Sequence, residues 1–251
     1  MAEEGNGASS ILSISSLTKR FGETTAVDDI SLDIPEGEFF TIVGPSGSGK
    51  STLIRILAGL EQPDSGQVAL RGKDLTGVPA NSRPTCMVFQ SLALFRHMTV
   101  GENIEFSQKV RGVPAAERRV QALANLRLVR LPTEFYDRKV TQCSGGEQQR
   151  VALARALASD PEILFFDEPL SAIDYRLRKI LEVEMKALHR RTGKTFIYIT
   201  HSLEEAMVMS DRIAIMRDGR LVQIGTPAEI YHRPASRFVA QFMGEVNIFT
   251  V

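Results

Sequence analysis

Cysteine is nearly absent: Cys86 and Cys143 are the only two in 251 residues, and they make no Cys-x-x-Cys pair. Neither a disulfide framework nor a zinc site is indicated, and the cytosol is the natural setting. No apolar run approaches the roughly 20 residues that a membrane-spanning helix needs. Residues 1–10 lack the basic end and apolar centre of a secretory signal and are expected to be a disordered tail. An excess of one charge is missing as well, since 30 Lys and Arg are matched by 30 Asp and Glu. That balance argues against a general nucleic-acid binder, which carries a basic patch or a high pI. There is no internal repeat, low-complexity tract or heptad run. If the protein works at a membrane, it docks on something that spans it.

What is present begins with an ordinary apolar fraction of 43%, enough for a full core at a length that suits one large α/β domain or two small ones. Within it lies Gly44, Pro45, Ser46, Gly47, Ser48, Gly49, Lys50, Ser51, Thr52. The run Phe39–Val43 before it has the pattern of a buried strand, and Leu53–Leu57 after it that of a helix face. Strand, glycine loop, Lys-Ser and helix make a phosphate-binding arrangement. Glycines let the backbone N–H groups turn inward onto an anion, and the helix N-terminus adds partial positive charge. Lys50 is placed to reach the β- and γ-phosphates and Ser51 to bind Mg²⁺.

Elsewhere, Ile11–Leu17 and Val27–Ile34 pattern as strands, as do Gln67–Leu70, Cys86–Phe89, Ile163–Phe166, Thr195–Ile199 and Ile213–Met216. Asp218-Gly219 signals a hairpin whose partner strand is Leu221–Ile224. Residues 91–157 read as a helical insertion and Tyr175–Arg191 as a long amphipathic helix stopped by Gly193. Several strands deliver polar residues at their carboxyl ends, where open parallel sheets bind ligands.

Asp167 and Glu168 follow one such strand: the first suits a Mg²⁺ ligand, the second a base for an attacking water, although Asp-Glu alone also fits a surface turn. Gln90 could bind the metal or its water, and His201 ends a strand, but a lone His is more often structural. Ser144-Gly145-Gly146-Glu147 has the spacing of a capping box, with Ser144 as N-cap, and the same helix start is an anion site for a phosphate presented by another molecule.

In order and spacing these residues resemble the nucleotide-binding subunit of an ATP-binding cassette (ABC) transporter over about residues 11–245. Gly44–Thr52 is similar to its Walker A motif, Gln90 to its Q-loop, Ser144–Gly146 to its signature, Ile163–Glu168 to Walker B, Ser171–Asp174 to the D-loop and His201 to the switch histidine. Phe21 sits where the family keeps an aromatic that stacks on adenine. Two positions depart from the usual Leu-Ser-Gly-Gly-Gln signature: Cys143 stands first and Glu147 last.

The resemblance implies an α/β fold: a P-loop NTPase, RecA-like core (11–90 and 158–225) with an antiparallel β subdomain, an inserted helical subdomain (91–157) and a C-terminal helical extension (226–251). It implies ATP and Mg²⁺ as cofactors, the metal held by Ser51, Gln90 and Asp167, with Lys50, Glu168 and His201 catalytic. Ser144, Gly145, Gly146, Glu147 and Asp174 would serve the nucleotide of a second copy. The implied partners are that copy, two transmembrane permease subunits and, indirectly, an extracytoplasmic solute-binding protein, at the cytoplasmic face of the membrane. The tail Gly225–Asn247 resembles importers of polyamines, ferric iron, sulfate or sugars, which often continue into a regulatory domain that these 251 residues do not contain. A repair or translation ATPase would carry a coiled coil, a zinc-bearing insert or a second cassette; a degenerate cassette would lack Glu168 or His201.

Overall fold

A computed structural model describes residues 10–171 and 173–244. The expected tail, apart from Ser10, lies outside these residues, as do Ala172 of the Ser171–Asp174 motif and the end of the C-terminal extension. No helix among the described residues is long and apolar enough to cross a membrane.

In chain order the elements are β1 (Ser10–Phe21), β2 (Thr24–Pro35), β3 (Phe39–Val43), α1 (Lys50–Leu57), β4 (Ser65–Leu70), β5 (Lys73–Asp74), β6 (Thr85–Val88), α2 (Val100–Val110), α3 (Ala115–Leu128), α4 (Gly145–Leu157), β7 (Ile163–Asp167), α5 (Tyr175–Thr192), β8 (Thr195–Thr200), α6 (Leu203–Met209), β9 (Arg212–Arg217), β10 (Arg220–Gly225), α7 (Pro227–His232) and α8 (Arg237–Phe242). They form two compact units, one from the chain up to Arg83 and from Lys194 onward, the other Pro84–Gly193. The second is wider than the expected insertion at 91–157, because it takes in β6, β7 and α5.

In the first unit, β2, β1, β4 and β5 make an antiparallel sheet. β3 runs parallel between β8 and β9, and β10 pairs antiparallel with β9. Every residue of β3 is fully buried, which is why this strand reads as an apolar run broken only at Thr41 rather than as an alternation. Its one polar side chain, Thr41, accepts a hydrogen bond from the Ser210 hydroxyl at 2.5 Å, so no donor or acceptor is stranded there. Asp218 and Gly219 both have positive φ, as the tight β9–β10 hairpin turn requires. α6, α7 and α8 close one face of β3 and β9 through Ala206, Ile230 and Val239, packed with Val43, Ile213 and Ile215.

Glu38, just before β3, is buried beside the Arg212 guanidinium at 3.5 Å, and its Oε2 has no hydrogen-bond partner among the described residues. Burial, opposed by Arg212 and reinforced by Asp211, pushes its carboxyl up from 4.5 to about 7. The folded protein therefore holds this proton more tightly than the unfolded chain. The contribution is full below pH 4.5 and is lost as pH rises through 7. Glu38→Gln is expected to stabilise the fold by about 2 kcal/mol at pH 8 and to change nothing at pH 4.5. Urea unfolding at both pH values checks this; parallel behaviour of parent and variant would show that Glu38 titrates normally.

In the second unit, β6 and β7 pair in parallel, from Thr85 opposite Ile163 to Val88 opposite Phe166. α2 packs on α3 and α4. Capping boxes start α2 (Thr99 with Glu102) and α4 (Ser144 with Glu147), Asp174 caps α5, and Gly193 ends α5 in the left-handed region. Of these signals, the Ser144–Glu147 box and the Gly193 stop were read in the sequence; the Thr99–Glu102 box and the Asp174 cap come from the structure.

Candidate functional site

The glycine loop leaves the carboxyl end of β3 and enters α1. Two of its glycines answer to close contacts. A Cβ on Gly44 would lie 2.1 Å from the Met216 carbonyl oxygen of β9, and one on Gly49 would lie 2.0 Å from that of Ala26 in β2. Gly49 is also left-handed, at φ 99°, and occupies the N-cap of α1, where it has no side chain to cap the helix. No acidic residue lies in the first turn of α1, so its N–H groups keep their positive end field. Lys50 is buried, and its ammonium donates to the carbonyls of Gly44 (2.8 Å) and Pro45 (2.9 Å) and, at 3.5 Å, to the Ser48 hydroxyl. The cation is thus held against the loop, while Pro45, Ser46 and Gly47 form its exposed crest and Ser51 is exposed at the helix start. From behind, the hairpin tip braces the loop: Gly219 N–H donates to the Ser48 carbonyl at 3.1 Å, and its own carbonyl accepts from Asp28 N–H at 2.9 Å.

Phe21 ends β1, opposite Thr24 in the hairpin that leads to the Ala26 carbonyl at Gly49. Its ring is 51% exposed, with the Lys19 ammonium 5.2 Å from its centroid. An exposed ring of this kind offers a stacking face for a planar base.

His201 follows β8 directly. Thr200 pairs with Val43, so His201 and Gly44 leave adjacent parallel strands at the same level. The turn is fixed by Glu205, a residue that carried no role in the sequence reading. It is buried, and its Oε2 accepts from Tyr198 (2.9 Å) and Thr200 (2.8 Å) hydroxyls. The Thr200 hydroxyl in turn accepts from Ser202 N–H at 2.9 Å. Ser202-x-x-Glu205 has capping-box spacing; the Ser hydroxyl does cap α6, but the Glu carboxylate turns inward to β8.

On the second unit, Val88 and Phe166 are paired, and Gln90 and Glu168 each lie two residues further on. Gln90 Nε2 donates to Ser171 Oγ (2.9 Å), which donates to the Glu168 carbonyl (2.9 Å). The structure thus joins Gln90, the Glu168 backbone and the following turn in one chain of bonds. Asp167 closes β7 and is half-buried. Glu168 sits at φ 47°, a left-handed conformation that costs a non-glycine residue about 1–2 kcal/mol and that clusters at functional sites. Asp174 is spent on α5, where its Oδ1 accepts from Leu177 N–H at 3.1 Å.

Ser144 Oγ accepts from Glu147 N–H at 3.4 Å, and Glu147 Oε2 accepts from Ser144 N–H at 2.7 Å, so Glu147 serves the helix cap. A Cβ on Gly145 would meet nothing within 4 Å, and one on Gly146 would only touch the Leu177 side chain at 3.4 Å. Packing among the described residues therefore does not demand these two glycines. Cys143 is buried, and its Sγ lies 3.9 Å from the Lys139 carbonyl. α4 also reaches the Glu168 turn, because Gln149 Nε2 donates to the Pro169 carbonyl at 3.4 Å. Phe21, Lys50, Ser51 and His201 belong to the first unit, and Gln90, Ser144, Asp167, Glu168 and Asp174 to the second.

The sequence profile of the ABC transporter family matches residues 27–171. The chain is 52% identical over 239 residues to a spermidine/putrescine import ATP-binding protein of Aggregatibacter actinomycetemcomitans, covering 95% of this chain and 64% of that one. A protein of the same name from Thermobifida fusca is 52% identical over 257 residues, covering 66% of its length. The chain therefore spans about two-thirds of the length of these curated relatives. Among solved structures it is similar to the ADP conformation of MJ1267, an ATP-binding cassette of an ABC transporter (TM-score 0.80, 27% identity, 94% of this chain and all of that one). It is also similar to a dimeric post-hydrolysis state of the cassette MJ0796 bound to ADP and Pi (TM-score 0.73, 33% identity, 86% of this chain and 98% of that one).

Proposed function

Because the chain belongs to the ABC transporter family, we propose that it is the ATP-binding and ATP-hydrolysing subunit of a transporter that imports a solute through separate membrane subunits. The observation that carries the ATP reading is the buried Lys50 ammonium, held beneath a glycine crest at a helix start with no side-chain cap. Lys50 and the loop N–H groups hold the phosphates, and Phe21 takes the base. Glu168 accepts the proton of the attacking water, and His201 steadies the γ-phosphate. Ser51, Asp167 and Gln90 supply a hydroxyl, a carboxylate and an amide oxygen, the hard oxygen donors that suit Mg²⁺. Gln90 spends its amide nitrogen on Ser171, which leaves its oxygen for a cation. The metal, when bound, neutralises charge on the β- and γ-phosphates.

Ser144, Gly145 and Gly146 close the nucleotide of a second copy. This accounts for a glycine at 145 that nothing among the described residues requires. Gly145→Ala is expected to leave folding stability within about 0.5 kcal/mol of the parent, since Ala favours a helical position, and to cut ATP turnover roughly tenfold or more by crowding an anion that approaches the helix N-terminus. Turnover per chain is expected to rise with chain concentration; a rate per chain that stays constant over a hundredfold dilution would overturn the two-copy site.

For the membrane subunits we propose the second unit's helical surface after Gln90. A groove of about 440 Å³ there is lined by Met98, Glu102, Glu105, Phe106, Lys109 and Arg118. The chain then sits peripherally at the cytoplasmic face, and the relatives' names make spermidine and putrescine the first solutes to test, with an extracytoplasmic binding protein delivering them. Co-purification with the permease subunits and solute-stimulated phosphate release test this reading. No stimulation by any solute-loaded binding protein would reduce the proposal to an ATPase without import.

A further inference from the structure

Two residues beyond Gln90 the backbone enters a left-handed turn that contains no glycine: Leu92 has φ 60° and Ala93 φ 46°. L-residues rarely adopt this conformation, and two in succession persist only where the surroundings enforce it. Leu92 N–H closes this turn onto the Phe89 carbonyl at 2.8 Å, and Arg155 also meets it. Its guanidinium donates to both carbonyls of the turn, Nη2 to Leu92 (2.8 Å) and Nη1 to Ala93 (2.7 Å). It also lies 5.7 Å from the centre of the Phe95 ring, which packs on Phe106 at 4.4 Å. Burial lowers the pKa of Arg155, so the side chain has given up hydration for these bonds. The far side of the segment is clamped separately. Asn103, fully buried, exchanges two hydrogen bonds with the Phe95 backbone and donates a third to the Thr99 carbonyl.

Arg155 lies in the last turn of α4, the helix whose first turn is Ser144–Gly146, about 16 Å away along the axis. The same helix touches the Glu168 turn through Gln149 and the Pro169 carbonyl. From the other direction, Gln90 reaches Ser171, and Ser171 the Glu168 carbonyl. At the left-handed turn, α4 therefore grips the segment that carries Gln90 through the Arg155 guanidinium.

We infer that Arg155 is a positioning residue for hydrolysis: its two bonds hold the Leu92–Ala93 turn left-handed and so keep Gln90 in register with Ser171 and the Glu168 backbone. A displacement of α4 at its signature end is thereby passed to Gln90. The ATPase reading proposed above supplies the readout of rate, and hydrogen exchange supplies one that does not depend on it.

The test compares the parent, Arg155→Met, and Arg155→Met combined with Leu92→Gly and Ala93→Gly, each as the full chain. In Arg155→Met, amides of residues 90–99 should exchange at least tenfold faster, while α4 and β3 keep their protection. Turnover at saturating Mg-ATP should fall about tenfold with KM for ATP within twofold, because the Lys50 loop is untouched. The glycine pair, which takes positive φ without strain, should recover at least a third of the lost rate. Unchanged exchange at 90–99 would overturn the assignment whether or not the chain hydrolyses ATP. So would faster exchange spread evenly over α4, which marks a merely structural side chain, or a kcat loss that the glycine pair fails to relieve. A parent without turnover but with the localised exchange change would fault the ATPase reading and uphold Arg155.

Discussion

Glu168→Gln should lower ATP turnover at least a hundredfold while ATP stays bound. A positioned general base contributes about 10² to 10⁴ in rate, and an amide of the same shape cannot take the proton. The rest of the site gives no reason for binding to suffer. Lys50 is held by Gly44, Pro45 and Ser48, on a different unit from Glu168. The Glu168 carbonyl, which Ser171 contacts, is also retained. Two copies closed over uncleaved ATP should then persist, visible as a nucleotide-dependent dimer in size-exclusion chromatography. The backbone offers a second check. Glu168 is left-handed at φ 47°, so Glu168→Gly should be equally inactive yet about 1 kcal/mol more stable than a variant that keeps the strain, Glu168→Ala. Turnover at the parent rate in the Gln variant would remove Glu168 from the chemistry.

The largest effect on folding should come from Arg83. Its side chain is buried, and its guanidinium donates to five carbonyls and no carboxylate: Val78 (2.7 Å), Ile56 (3.0 Å), Leu57 (2.7 Å), Leu75 (2.6 Å) and Thr76 (3.4 Å). Ile56 and Leu57 are the last residues of α1, where the helix runs out of its own N–H donors, and the Ile56 carbonyl also accepts from Gly59 N–H at 3.0 Å. Arg83 therefore caps the helix that begins at Lys50 and ties it to the 75–78 turn. Burial lowers its pKa, with Asp74 opposing. Arg83→Met keeps the apolar stem and strips the donors; the Ile56 and Leu75 carbonyls keep the backbone N–H groups of Gly59 and Val78, while those of Leu57, Thr76 and Val78 lose the guanidinium, at about 1–3 kcal/mol for the worst placed. An overall loss of about 4 kcal/mol is expected, and Arg83→Lys should lose roughly half of that, since three donors cannot meet five acceptors. Denaturant unfolding measures both. A loss below 1 kcal/mol in the Met variant would mean that water replaces the guanidinium.

Most of the elements were legible for local reasons. β3 and β8 are buried along their whole length and are apolar or aromatic apart from Thr41, Thr195 and Thr200. α4 starts where Ser144 stands three residues ahead of Glu147. The glycine loop was readable as a pattern, but that Gly44 and Gly49 answer to the Met216 and Ala26 carbonyls was not, because these contacts join positions far apart in the chain. Glu147 could be placed in sequence as either a cap or a carboxylate near phosphate; its bond to Ser144 N–H shows the cap.

The sequence by itself determined the family, the order of the motifs and the presence of residue types suited to holding phosphate and activating water, because these rest on spacing along the chain and on side-chain chemistry. Only the tertiary structure decided what holds those residues in place. Glu205 spans Tyr198 and Thr200 beneath His201, Arg83 gathers the end of α1, and Arg155 holds a left-handed turn at Leu92 and Ala93. In sequence each is a polar residue in an ordinary setting. A polar side chain acquires such a role only when folding removes water from it and leaves particular backbone or hydroxyl groups as its partners, and no local pattern encodes which groups those will be.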